Sequence, residues 1–253
     1  MRREIAMVFG PLLACASIGA HAQTAAKTLN VDDSAGGSYV FRFVMQEPPN
    51  LNVWPESRSL VPLYDAWEFG SAGLYGSAQT QLQGGEQYKL PNGTLSGPAT
   101  VNAEADLNLL YVAKKWVGGF DGGELEGMLG LGMAQMRVGL TSGFVGRLHH
   151  DNDAGGLIIG LGMRNFIGER VVLTTHFSVF SSNPIYLFGS GFASGRSNEG
   201  SLGEIGVFWP KGGRLAVHGG MQAVRYVPKF EAGDSKTELR LWGPFLGLRA
   251  TLR

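Results

Sequence analysis

VNAEADLNLLYVA, residues 101–113, alternates without a break: Val101, Ala103, Ala105, Leu107, Leu109, Tyr111 and Ala113 are apolar, and Asn102, Glu104, Asp106 and Asn108 lie between them. A helix would scatter those polar residues around its axis, whereas an extended chain sends every second side chain to one face. The stretch therefore reads as a strand with one apolar and one acidic side. Which side meets water decides what kind of sheet it belongs to.

The same period recurs. Segments 64–78, 100–114, 124–139, 155–164, 170–180, 201–209, 214–226 and 238–253 all alternate,. Between them, short connections (KWVGGFDGG, NFIGE, PKGG) take turns with longer polar ones near 79–99, 140–154, 181–200 and 227–237,. Short and long connections in turn, with the chain ending on its last strand, are the plan of an up-and-down antiparallel transmembrane β-barrel, with short periplasmic turns, longer outer loops and both ends at the periplasmic rim. The fold expected is all-β with eight strands over 64–253, and ten as the alternative count. Residues 23–63 form a separate N-terminal segment in which SYVFRFVMQ (38–46) alternates and offers an extra strand, while EPPNLNVWPESRS is broken by proline and reads as a loop,.

Composition bounds the function. Gly supplies 39 of 253 residues, most of it inside alternating segments such as GMLGLGMAQ, as expected where a sheet curves tightly or side chains crowd together,. Lys plus Arg and Asp plus Glu are equal at 21 each, so there is no basic footprint for nucleic acid,. Residues 1–22 read as a secretory leader: Arg2 and Arg3, the apolar run IAMVFGPLLACASIGA, then AHA before Gln23,. Cys15 lies within it; LLAC as a lipoprotein signal is the competing reading, but Leu13 is bulky for that pattern,.

The pattern, the leader and the final strand ELRLWGPFLGLRATLR resemble the small eight-stranded outer-membrane barrels, the outer-membrane protein A-like and X-like group. No diagnostic motif is shared, and the chain finishes on Leu252 and Arg253 where such barrels finish on an aromatic residue. The resemblance implies localisation in a bacterial outer membrane. It also implies contact with outer-membrane lipids and lipopolysaccharide, insertion by the barrel assembly machinery, no cofactor, and a structural or loop-display role in the envelope.

In such a barrel the polar faces point inward. With Glu104, Asp106 and Asn108 set inside, the other strands add Glu68, Glu124, Glu126, Arg164, His176, Ser178, Glu204, Arg214, His218, Gln222 and Arg249, with Gly130, Gly132, Gly160, Gly162, Gly206 and Gly220 among them,. The outward faces then read Leu157, Ile159, Leu161 and Met163, then Leu246, Leu248, Ala250 and Leu252, with Trp67, Phe69, Tyr111 and Trp209 as one aromatic girdle and Tyr75 and Trp242 as the other,. A soluble lipocalin-type barrel has the same period and the opposite facing.

Two constellations carry possible chemistry. His176 and Ser178 are two apart on one strand and share a face, as a general base and a nucleophile must,. They resemble the His-x-Ser pair of outer-membrane lipid A deacylases, implying an acyl hydrolase of lipid A or phospholipid as the alternative function; Val179 stands where that family has Asn. A small pore or carrier is the third. His149, His150, Asp151, Asn152 and Asp153 could offer metal ligands at a loop tip, but a solvated turn uses the same residues, and no metal site is assigned,.

Overall fold

The computed structural model describes residues 29–53, 60–84, 87–90, 93–143, 146–183, 198–228 and 237–252. The leader and much of the 181–200 connection lie outside the described residues. The strands are β1 (Leu29–Glu47), β2 (Val61–Leu82), β3 (Gln87–Leu90), β4 (Gly93–Ser96), β5 (Ala99–Phe120), β6 (Gly123–Ser142), β7 (Gly146–Ile167), β8 (Val171–Ser181), β9 (Glu199–Trp209), β10 (Leu215–Val227) and β11 (Thr237–Leu252). β3 and β4 pair only with each other; the remaining nine make one sheet closed by a ring of hydrogen bonds, in the order β1-β11-β10-β9-β8-β7-β6-β5-β2 and back to β1. The fold is all-β, and every alternating segment lies on a strand of the ring.

The strand count is the first correction. SYVFRFVMQ belongs to β1, which enters the ring between β2 and β11, so there are nine strands and not eight or ten. Each antiparallel step reverses the chain, so in an odd ring the first and last strands must run the same way. β1 indeed pairs with β11 in parallel, from Leu29↔Thr237 to Met45↔Leu252. The even-number expectation assumed that both ends share a rim, yet hydrogen bonding imposes no such limit, because parallel ladders also pair every backbone group. β1 therefore starts at the rim of the longer connections, and β11 ends at the opposite one.

Proline marks the seam. Pro244 has no N–H to give and lies where the β1–β11 register breaks between Ser34 and Tyr39, a position at which a strand tolerates proline,. Ser38 Oγ donates to its carbonyl at 2.5 Å. At the other rim the β5–β6 hairpin turns on Asp121-Gly122, with Gly122 at φ 87°, a conformation that favours glycine,. From that turn the β5–β6 register runs unshifted up to Val101↔Ser142.

Parity holds along each strand while the chemistry of its faces changes. On β5 the odd residues stay on the more buried side: Val101, Ala103, Ala105 and Leu107 are at most 4 % exposed, and Ala113, Lys115 and Val117 at most 3 %. The even side carries Asn102, Glu104, Asp106 and Asn108, then Leu110, Val112, Lys114, which pairs with Glu47, and Trp116. On β6 the outer face passes from Leu125, Leu129, Leu131 and Met133 to Gln135 and Arg137, and on β7 from Leu161 and Leu157 to Asp153, Asp151 and His149. The ring thus has two tiers. The lower tier, at the short turns, is polar inside and, apart from the Lys114–Glu47 pair, apolar outside; the upper tier, at the longer connections, is the reverse.

The second correction follows from these tiers. Glu104 and Asp106 face outward, because their strand's interior in the upper tier is an apolar cluster. Val101, Ala103, Ala105 and Leu107 pack there with Leu74, Met136, Val138, Leu140, Phe180, Leu202, Leu239, Leu241 and Phe245. Each large side chain withdrawn from water in that cluster contributes about 1.5–3 kcal/mol. The polar alternation above residue 140 is likewise wall and not loop: β6 runs to Ser142 and β7 starts at Gly146, leaving only 143–145 to connect them. His149 and Asp151 lie on β7, where His149 Nε2 meets Asp151 Oδ1 at 2.8 Å. At the far edge of the upper tier, burial pushes the Glu238 carboxyl up, but Arg225 Nε and Arg240 Nε, each 2.7 Å from Oε1, outweigh it and hold the group below the usual carboxylate range.

The parallel seam is directly testable. Phe41 and Leu248 are outward-facing register partners across it. In a Cys15→Ser background, Phe41→Cys with Leu248→Cys should cross-link through a short thiol-reactive linker and shift on a denaturing gel, whereas Phe69→Cys with Leu248→Cys should not. The opposite pattern would place β2 against β11 and remove β1 from the ring.

Candidate functional site

The interior of the lower tier is filled by charge. Arg42 comes from β1, Glu68 from β2, Lys115 from β5, Glu124 and Glu126 from β6, Arg164 from β7, Glu204 from β9 and Arg249 from β11. Glu68 is 0 %, Glu204 2 % and Lys115 3 % exposed, so these groups depend on one another and not on bulk water,.

The pairing is continuous. Arg42 Nη2 meets Glu204 Oε2, and its Nε lies 3.7 Å from Glu68 Oε1. Glu68 also takes Lys115 Nζ at 2.9 Å and the Tyr111 hydroxyl at 2.8 Å. Lys115 bridges onward to Glu126, whose other oxygen meets Arg164 Nε. Arg164 Nη1 then reaches Glu124 at 2.9 Å and the Tyr64 hydroxyl at 3.0 Å. Four carboxylates and four bases share this space, and a shared network holds carboxylates that no single partner would satisfy.

Glycine makes the room. A Cβ added at Gly70 would overlap the ring of Tyr111, its register partner on β5. One added at Gly206 would lie 2.7 Å from His218 Nε2. His218 is stacked on Phe208 with centroids 3.9 Å apart, meets Phe245 edge-on at 4.6 Å, and has Nε2 3.2 Å from Thr174 Oγ1.

Of the residues read as lining the interior, the ring brings together Glu68, Glu124, Glu126, Arg164, Glu204, His218 and Arg249. It leaves out four. Glu104, Asp106 and Asn108 stand on the outer face of the upper tier. Arg214 is exposed in the turn before β10, one residue short of the strand, where the sheet's inside and outside no longer apply. Arg42, Lys115, Tyr111 and Tyr64 were not anticipated. Lys115 and Tyr111 share parity with Val101, so placing Glu104 inside necessarily placed them outside, and Tyr111 is not part of an outer girdle. Arg42 lies on β1, which the expected eight-strand count over 64–253 leaves outside the ring.

His176 and Ser178 both face inward and are 8 % and 2 % exposed. Neither ring nitrogen of His176 has a hydrogen-bond partner among the described residues, so no bond to the Ser178 hydroxyl joins the pair. His176 is the register neighbour of Glu204 and Gly162. Among the described residues no group of three or more His, Cys, Asp or Glu is placed to hold a metal ion. No family model, curated protein or solved structure matches this chain.

Lys115 joins two carboxylates, so its removal should be costly. Lys115→Ala is expected to lower unfolding stability by about 3 kcal/mol, measured by urea titration of the detergent-solubilised protein. Adding Glu68→Gln should recover part of the loss by neutralising one stranded carboxylate. Arg214→Gln, at an exposed position, should shift stability by no more than about 0.5 kcal/mol. Equal effects of Lys115→Ala and Arg214→Gln would mean that the interior is hydrated.

Proposed function

We propose that the chain is a bacterial outer-membrane β-barrel whose closed, ion-paired lumen gives it a structural role, and that it displays a rigid extension and its connections above the lipid. The observation that carries this reading is the outer apolar band of the lower tier. It spans about ten residues per strand, close to the roughly 9–11 that a tilted strand needs to cross a bilayer. Leu131, Leu161 and Leu246 in that band are 65 %, 64 % and 68 % exposed, a contiguous surface that water would leave unprotected,. Trp67, Trp209 and Trp242 are also exposed on the same face, as expected of side chains near a lipid interface,.

A secreted lipocalin-like barrel accounts for the upper tier alone, since it cannot explain charges inside and leucines outside lower down. With nine strands the chain also departs from the eight-stranded group that its last strand resembles. The acyl-hydrolase alternative gains no support from two buried side chains that do not contact each other through a hydrogen bond. A pore asks for a clear path, whereas here an ion-pair network and an apolar cluster follow one another along the axis. The partners this reading implies are outer-membrane lipids, lipopolysaccharide and the assembly machinery.

Two measurements test it together. The protein should fractionate with outer membranes and migrate faster on gels unheated than boiled. In planar bilayers it should carry little or no steady current, with Arg164→Ala producing transient openings. Recovery as a soluble periplasmic protein would overturn the membrane reading, and a large stable conductance would overturn the closed lumen.

A further inference from the structure

The rim at the short turns opens into a cavity of about 510 Å³, within the range of small-molecule sites. The ends of eight ring strands, all but β5, and the 210–213 turn line it. Two cations face it with no carboxylate partner among the described residues. Arg249 is 9 % exposed and makes no hydrogen bond or ion pair among the described residues; its Nε is buried and unpartnered, and the guanidinium carbon lies 5.4 Å from the Phe208 ring centroid. Lys211, in the turn between β9 and β10, holds its Nζ 3.6 Å from the Phe166 ring centroid, and its backbone N–H donates to the Arg170 carbonyl at 2.9 Å.

The seam explains why Arg249 is left over. Parallel pairing sets it directly beside Arg42. Arg42 takes Glu204 and approaches Glu68, Lys115 takes Glu68 and Glu126, and Arg164 takes Glu126 and Glu124. Every interior carboxylate of the network is therefore engaged before Arg249 is reached. Glu124 also lines the mouth, but Arg164 holds it. What remains is a planar guanidinium at the inner end of a cleft, an ammonium at its rim, and apolar walls from Leu63, Val172, Phe208 and Ala216.

We propose that this mouth binds a small organic monocarboxylate, with its carboxylate on Arg249, Lys211 at the rim and its apolar body against Phe166 and Phe208. A guanidinium fork matches the two oxygens of a carboxylate. The aromatic walls suit an apolar body, and the nearby Glu124 disfavours a ligand of higher negative charge. The site depends on the ring and its turns, so it stands whether or not the ring crosses a bilayer.

The test uses the full folded chain in a non-ionic detergent, with benzoate as probe and benzamide as its neutral near-isostere. Titration calorimetry should show benzoate bound about tenfold more tightly than benzamide, a difference that charge-assisted bonding readily supplies. Arg249→Gln should abolish that preference, and Lys211→Gln, on an exposed turn, should reduce it. In the unsubstituted protein the Arg249 side-chain N–H resonance, assigned with Arg249→Lys, should move with benzoate and stay with benzamide, which keeps the test valid if Arg249→Gln does not fold. Equal binding of the two probes, or an Arg249 resonance indifferent to benzoate, would overturn the site.

Discussion

A β-strand cannot choose which way its side chains point. They alternate at every residue, and a hydrogen-bonded register fixes that alternation across the whole sheet. A strand of 22 residues such as β5 that passes through two different surroundings must therefore change residue type on both faces at the same place and leave its parity intact. On β5 the outer side turns from Asn108 to Leu110 just where the inner side turns from Leu109 to Tyr111, and the pairing with β6 crosses this point without a shift. The apolar cluster, the ion-pair network and the apolar band all depend on that exchange. A one-residue slip anywhere in the ring would put charges into the cluster and leucines into the network.

This constraint explains what could and could not be read from sequence. Alternation located every strand of the ring, β1 included, and it assigned Glu68, Glu126, Arg164, Glu204 and His218 to the inner face because those positions lie in the lower tier, where the polar face is the inner one. It misassigned Glu104 and Asp106 because a period of two says that two faces differ, not which is inside, and that answer is opposite in the two tiers. The cost fell on Lys115 and Tyr111, whose parity is that of Val101. His149, Asp151 and Asp153 looked like a loop for the same reason, since polar side chains on an outer wall have the composition of a turn. The parallel seam was not legible at all, because closure depends on strand count and on pairing over 200 residues of separation, neither of which leaves a local signal.

Charge balance within the ring follows from the same geometry. The lower tier collects its acids and bases from strands far apart in sequence, and bringing β1 into the ring is what adds Arg42 to a space otherwise short of cations. That partner satisfies the buried Glu204 carboxylate and adds a second cation beside Lys115 at Glu68,. The β1–β11 seam has a further effect, since it sets two arginines side by side and leaves one of them facing the open mouth.

The exchange of faces on β5 can be measured along a single strand. Spin labels placed one at a time at residues 102, 104, 106, 108, 110 and 112, with the protein in liposomes, report contact with water through a polar relaxer and contact with lipid through oxygen. The proposed membrane placement predicts water contact from 102 to 108 and lipid contact at 110 and 112, with the crossing between Asn108 and Leu110. Labels at 104 and 106 that are shielded from both relaxers, or labels at 110 and 112 that report water, would contradict it.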